Sequence, residues 1–323
     1  MTIAEHTETY ITSEGTAPHR IITPRAKLES ELRRRIRGEV CFDQGSRALY
    51  ATDASNYRQV PIGVMIPRSV EDIVETVAVC REFDAPILAR GGGTSLAGQC
   101  CNAAVVLDCS KYLRNVLEID AEHRTARVEP GCVLDNLRKA AEQHHLTFGP
   151  DPATHDHNTL GGMIGNNSCD VHSVMAGKTI DNVEELDVLT YDGLRLRLGR
   201  TNDDEFERIV RAGGRRAAIY QGLRRPRDRY ADLIRRRYPD IPRRVSGYAL
   251  DQLLPEHGFD VARALVGSES TCVLGCRRSC AWYTARWRAP WSYSASRTSS
   301  VPAIVCRKCL NRSRSPSKRS TTS

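Results

Sequence analysis

Arg90-Gly91-Gly92-Gly93-Thr94-Ser95-Leu96-Ala97-Gly98-Gln99 lies between two apolar runs of strand length, residues 86–89 and 103–108. Three consecutive glycines after a strand allow positive φ and a close approach of bare main chain to a ligand. Successive N–H groups in such a turn form a nest suited to an anion such as a pyrophosphate. Two familiar phosphate loops are excluded by their surroundings. A P-loop ends in Gly-Lys followed by Ser or Thr, which is absent here. The Rossmann fingerprint opens directly into a helix, whereas residues 103–108 read as a strand. Spacing alone leaves a cradle of another kind and a plain structural turn on equal terms.

Outward from this loop, strands and helices alternate. Residues 63–67 read as a strand. Ser69, three residues before Asp72, resembles a capping box and opens a helix whose apolar face is Ile73, Val74, Val77 and Ala78. Residues 116–120 and 125–129 form a hairpin pattern, a helix runs from Val133 to about His144, and residues 160–167 read as glycine-rich and irregular. Residues 183–190 read as a strand, and Tyr191-Asp192-Gly193 turns the chain into 194–198. Residues 203–266 switch to helical periodicity, with Leu223, Tyr230, Leu233 and Ile234 at helical spacings. Residues 1–60 are polar, carry a charged helical stretch near 28–37 and read as a lead-in. Layered α/β or α+β packing accommodates this order.

The chain has 323 residues and 36.0 kDa, with 40% hydrophobic and 27% charged residues, enough to build a sizeable core. That composition excludes a wholly disordered chain, and no apolar run approaches the roughly 20 residues of a membrane span. The polar, acidic start lacks the apolar stretch of a secretory signal, so cytoplasmic residence is expected. Twelve cysteines scattered through such a chain read as reduced thiols. The net charge of +8 is uneven. Residues 275–323 hold 11 Lys and Arg and no acid, leaving 36 basic against 39 acidic residues in 1–274.

A second segment resolves the reading of the glycine loop. Gly149-Pro150-Asp151-Pro152-Ala153-Thr154 leads to Thr159-Leu160-Gly161-Gly162-Met163-Ile164-Gly165-Asn166-Asn167-Ser168, with Ala176-Gly177-Lys178 before the next strand. Small residues and amides at this density suit a backbone lying flat on a planar, hydrogen-bonding ligand. Together the two segments, over about residues 45–274, resemble the PCMH-type FAD-binding domain of the vanillyl-alcohol oxidase superfamily, in the branch of FAD-linked D-lactate dehydrogenases and the glycolate oxidase flavin subunit. The resemblance implies an α+β, two-lobed domain. It implies that the N–H groups of Gly91, Gly92, Gly93, Thr94 and Ser95 hold the FAD pyrophosphate, with Arg90, Gly98 and Gln99 beside it. Pro152, Thr154, Gly161, Gly162, Asn166, Asn167 and Ser168 then lie along the flavin and ribityl chain. Members that attach FAD covalently often have His where this chain has Thr94, so non-covalent FAD is expected. Three departures stand out: Asp170 where relatives usually have Gly, Ala249 where many have Asn or Asp, and Ser270 where Gly-Ser-Glu-Gly-Thr is usual. An inward carboxylate at 170 would repel the cofactor's phosphates.

The implied reaction is oxidation of a small D-2-hydroxy acid such as D-lactate or glycolate by hydride transfer to flavin; the alternatives are an inactive FAD-binding remnant and, ranked third, a nucleic-acid- or zinc-binding protein acting through the tail. The electron acceptor is not identified, an iron–sulfur protein being one candidate. No catalytic residue, metal, nucleic-acid partner or membrane span is assigned. His155-Asp156-His157 reads as a solvated loop rather than a metal cluster, Glu142, His144 and His145 as a polar helix end, and Tyr248 as a packing residue. Domain boundaries follow: 1–44 an arm, 45–200 the FAD-binding domain, 201–274 a helical extension with the start of the C-terminal region, and 275–323 an aberrant, basic, disordered tail. In that tail Cys276, Cys280, Cys306 and Cys309 mimic a zinc site, and its arginines and three tryptophans mimic a nucleic-acid arm. The family pattern ends abruptly after Glu269. A frameshift near Leu274, removing the C-terminal cap domain, accounts for this, and sequencing the gene tests it.

Overall fold

The computed structural model describes residues 25–170 and 172–275. The first lobe runs α1 (Arg25–Arg35), β1 (Glu39–Cys41), α2 (Gln44–Leu49), β2 (Gly63–Ile66), α3 (Val70–Glu82), β3 (Ile87–Arg90) and β4 (Val105–Asp108). Its sheet has the order β1-β2-β4-β3, with β2, β4 and β3 parallel and β1 antiparallel to β2. All four residues of β2 and of β4 are buried, as expected of parallel strands covered on both faces, and the run is apolar except for Asp108 at the end of β4. Ser69 caps α3 by accepting from the Asp72 N–H at 3.2 Å. The Asp72 carboxylate in turn accepts from the Arg68 and Arg37 N–H groups, both at 2.9 Å, tying the helix start to the turn before β1.

The expected arm is corrected over residues 25–44. Helix α1 packs on α3 and buries Leu28 and Leu32 completely, and β1 extends the sheet. Two leucines one turn apart in a helix otherwise rich in Arg and Glu make a stripe too narrow to register as an apolar face.

The second lobe comprises the hairpin β5 (Val116–Asp120) and β6 (Thr125–Val128), α4 (Leu134–Glu142), α5 (Leu160–Asn166), α6 (Ser173–Ala176), β7 (Leu186–Leu189), β8 (Arg195–Leu198), α7 (Asp203–Ala212), α8 (Gly214–Arg237), α9 (Val261–Leu265) and β9 (Leu274–Gly275). β7 pairs antiparallel with β8 on one side and β9 on the other. One core joins this hairpin, the second sheet and the helices through residues such as Leu137, Phe148, Met163, Val188 and Tyr220.

Residues 160–167, expected to be irregular, contain α5. Leu160, Met163 and Ile164 are buried at i, i+3 and i+4, Thr159 caps the first turn, and Asn167 closes the helix in the left-handed region at φ 53°. The helical stretch after residue 203 buries part of the expected set, Ile234 fully and Leu223 partly, and leaves the rest outside. Ala217, Tyr220 and Ile234 of α8 are buried, whereas Tyr230 and Leu233 are 42% and 45% exposed. An aromatic cluster decides this, Phe206 meeting Phe259 edge-on at 5.6 Å and Tyr220 at 6.3 Å. Tyr248 is corrected too: its ring is exposed and its hydroxyl meets Thr271 Oγ1 at 2.7 Å. The tail cysteines, the tryptophans and the sequence beyond the postulated frameshift lie outside the described residues.

Candidate functional site

β3 and β4 run side by side to Arg90 and Asp108, and the glycine loop leaves the sheet at this shared C-terminal edge. There it borders a cleft of about 560 Å³, whose other walls come from α5, β7 and residues 265–275. That volume falls within the roughly 300–1,000 Å³ usual for cofactor sites.

The glycines of the loop are required first by the protein itself. A Cβ on Gly91 would lie 2.3 Å from Thr159 Oγ1, and one on Gly92 would lie 2.3 Å from the His157 carbonyl oxygen. The second segment thus presses directly against the first, and only bare backbone fits between them. Gly93 takes φ 67°, and its carbonyl accepts from the Ala54 N–H at 3.0 Å. Among the described residues, no protein acceptor meets the N–H groups of Gly92, Gly93, Thr94 or Ser95. Four unpaired donors on one turn, at the wall of a cleft, are the donor set an anion needs.

Arg90 braces this turn. Its guanidinium donates to the carbonyls of Thr52 at 2.8 Å and Cys100 at 3.0 Å and lies 5.2 Å from the centroid of the Tyr50 ring. The Tyr50 hydroxyl donates to Asp108 Oδ2 at 2.7 Å, and burial, with the neighbouring carboxylate, pushes its phenol up, so it stays protonated. Arg90 therefore holds the shape of the loop while lining the cleft.

On the opposite wall, the first N–H groups of α5 are already satisfied. Leu160 N donates to Cys132 O, Gly161 N to Pro130 O, and Gly162 N to Thr159 Oγ1. The start of this helix is therefore not an anion site, and α5 contributes its small-residue side, Gly161, Gly162, Gly165 and Asn166, to the lining. A Cβ on Gly165 would meet nothing within 4 Å. Asn167 is buried, its side-chain oxygen accepting from Ile180 N at 3.0 Å, and Ser168 Oγ donates to Asn166 Oδ1 at 2.6 Å.

Of the fifteen residues expected at the cofactor, fourteen line this cleft. Gly98 does not; it sits against the Tyr57 ring at φ 81°, in a turn where a Cβ would approach that ring to 2.8 Å. Asp170 is also absent from the lining. Its carboxylate accepts from Ser173 N at 2.8 Å and organises the start of α6, so it does not oppose an anion in the cleft. His155 pairs with Asp135 and His157 with Asp156, and no group of metal-ligating side chains is found among the described residues. The sequence reading missed Ser268, Glu269 and Ser270 as wall residues, although their stretch carries the Gly-Ser-Glu pattern. Arg90 and Glu269 are the charged side chains among the lining residues. Cys109 also lines the cleft, with its thiol pushed up to about 12 by burial and therefore protonated.

Residues 61–199 match the family model described as "FAD binding domain". The chain is 33% identical to D-2-hydroxyglutarate dehydrogenase of Pseudomonas putida over 240 residues, which are 73% of this chain and 24% of that protein. It is 34% identical to glycolate oxidase subunit GlcD of Bacillus subtilis over 169 residues, 51% of this chain and 36% of the relative. The chain thus spans about a quarter of the first of these relatives. Among solved structures, alkyldihydroxyacetonephosphate synthase superposes with a TM-score of 0.56 at 16% identity, covering 82% of this chain and 44% of that one, a likeness of fold. No helix among the described residues is long and apolar enough to cross a membrane.

Proposed function

We propose, on the match of residues 61–199 to the family model described as FAD binding domain, that this chain holds FAD non-covalently in the cleft between its lobes and serves the oxidation of a small D-2-hydroxy acid. The observation that carries this reading is the juxtaposition of four unpaired N–H donors, on Gly92 to Ser95, with the small-residue side of α5 across one cleft. The donors suit the pyrophosphate, and Gly162, Gly165 and Asn166 leave a flat wall with an amide for the ring system. FAD held there would supply the hydride-accepting chemistry, and the protein's part would be to bind and orient it. Arg90 keeps the donor turn in shape, Asn167 fixes the end of α5, and the buried Cys109 thiol stays neutral. Two curated relatives named for 2-hydroxy acids support that substrate class. An iron–sulfur protein as electron acceptor and a cytoplasmic location remain part of the proposal; free thiols at the eight described cysteines fit a reducing compartment.

A second reading is favoured by the lining itself. Among the described residues, the lining's one carboxylate, Glu269, is exposed at the rim and held by Gln99, and no His, Tyr, Lys or Asp side chain lines the cleft with it to take a substrate hydroxyl's proton. On this reading the chain binds FAD and does not turn over. Purified full-length chain, reconstituted with FAD and offered D-lactate, glycolate or D-2-hydroxyglutarate with a redox dye, separates the two. Yellow protein that reduces dye supports the enzyme, and yellow protein that does not supports the binding remnant. Protein that stays colourless in excess FAD overturns both.

A further inference from the structure

Resting on the FAD reading, we propose that Glu269 and Gln99 form a latch across the rim of the cleft and set the rate at which bound FAD leaves. Residues 267–271 form a strap along the wall. Gly267 N donates to Ile164 O at 2.8 Å and Glu269 N to Gly165 O at 2.9 Å, so the strap is fastened to the last carbonyls of α5. At its far end Thr271 Oγ1 meets the Tyr248 hydroxyl at 2.7 Å, and Thr271 N closes a turn onto Ser268 O at 3.0 Å. Between these anchors the strap reaches the opposite loop, Gln99 Nε2 donating to Glu269 Oε1 at 3.3 Å. The same Gln99 accepts from the Ala97 N–H through its side-chain oxygen at 3.2 Å, which orients the amide. The latch thus joins positions 170 residues apart, one on the donor loop and one on the strap, and both residues line the cleft.

The backbone under the latch is strained. Glu269 and Ser270 stand at φ 48° and 63°, a region that non-glycine residues occupy only when their surroundings hold them there. A strained strap pinned at two ends and joined to the facing loop by one exposed hydrogen bond opens when that bond breaks. The bond also draws the lining's only acidic side chain toward the opposite rim. Both groups are exposed, so the bond's effect is modest, about fivefold in an exchange rate.

The test is FAD release from the full chain, followed by the recovery of flavin fluorescence after dilution, for wild type, Gln99→Ala, Glu269→Ala, Glu269→Gln and the Gln99→Ala/Glu269→Ala double variant, with each apo-protein's melting temperature as a control. Both single alanine variants are expected to release FAD about fivefold faster with unchanged apo melting, and the double variant no faster than either. Glu269→Gln, whose amide oxygen still accepts from Gln99, is expected to release at nearly the wild-type rate. Wild-type release rates in the alanine variants, additive effects in the double variant, or Glu269→Gln behaving like Glu269→Ala would each overturn the latch. A wild-type chain that never acquires FAD would overturn the binding reading itself.

Discussion

At Gly165 one added side chain should move stability and binding in opposite directions. The residue lies in α5, lines the cleft, and has open space where a Cβ would stand. Replacing a helical glycine relieves a backbone entropy cost of about 0.5–1 kcal/mol. Gly165→Leu is therefore expected to raise the melting temperature of the apo-protein while weakening FAD binding at least tenfold, read by flavin fluorescence titration. Gly91→Ala should behave differently, because its Cβ would strike Thr159 Oγ1 and the two segments would have to part, lowering apo stability as well. Ser270 offers the converse case. Its φ of 63° favours glycine, so Ser270→Gly removes strain of about 1–3 kcal/mol and adds about 0.5–1 kcal/mol of chain entropy cost. A small net rise in denaturation midpoint is expected. The glycine triplet was legible because so few contexts tolerate it. Gly98 shared the composition but serves a turn under Tyr57, and Glu269 went unseen as a wall residue because its position depends on a partner 170 residues away.

At the level of elements, the strands could be read because β2, β4 and β7 are unbroken runs of buried residues. Helix α5 could not, since three glycines in seven residues mask the spacing of Leu160, Met163 and Ile164. In α8 the reading held for Leu223 and Ile234 and missed for Tyr230 and Leu233 for another reason: the helix is drawn in by Tyr220 against Phe206 and Phe259, which lie on other parts of the chain. Pro226 sits inside α8, where proline removes a hydrogen bond and crowds the carbonyl four residues earlier, here that of Gly222. Pro226→Ala is expected to stabilise the chain by about 2 kcal/mol, measured by chemical denaturation. The end of the same helix is tied down by Arg235, which meets both carboxylate oxygens of Glu256, at 2.8 and 3.0 Å. That pairing lowers the Glu256 carboxyl to about 2. A carboxyl depressed in the folded state stabilises above its unfolded value and loses that contribution as pH falls through the folded one. The acid limb of the stability profile should therefore shrink between about pH 4.5 and 2 in Glu256→Gln, a modest change because the pair is exposed.

For the whole molecule, the decisive feature is that two lobes with largely separate cores share one ligand cleft. They already meet at an edge, since Leu189 and Leu274 of the second sheet pack into the first lobe's core. A ligand that touches the donor loop of one lobe and α5 of the other binds only the assembled pair, so its binding energy adds to the stability of the whole rather than of either half. One-site linkage gives about 2.7 kcal/mol when free FAD is one hundred times its dissociation constant. For a folded body of this size that corresponds to a rise in melting temperature of roughly 5–10 °C. Calorimetry on the full chain should show the shift growing with FAD concentration and sharpening the transition, because the two lobes then unfold together. The same titration on Gly165→Leu should give little shift despite a sound apo fold. A wild-type melting temperature indifferent to FAD, or a shift confined to one part of a split transition, would show that the cleft does not join the lobes through the cofactor.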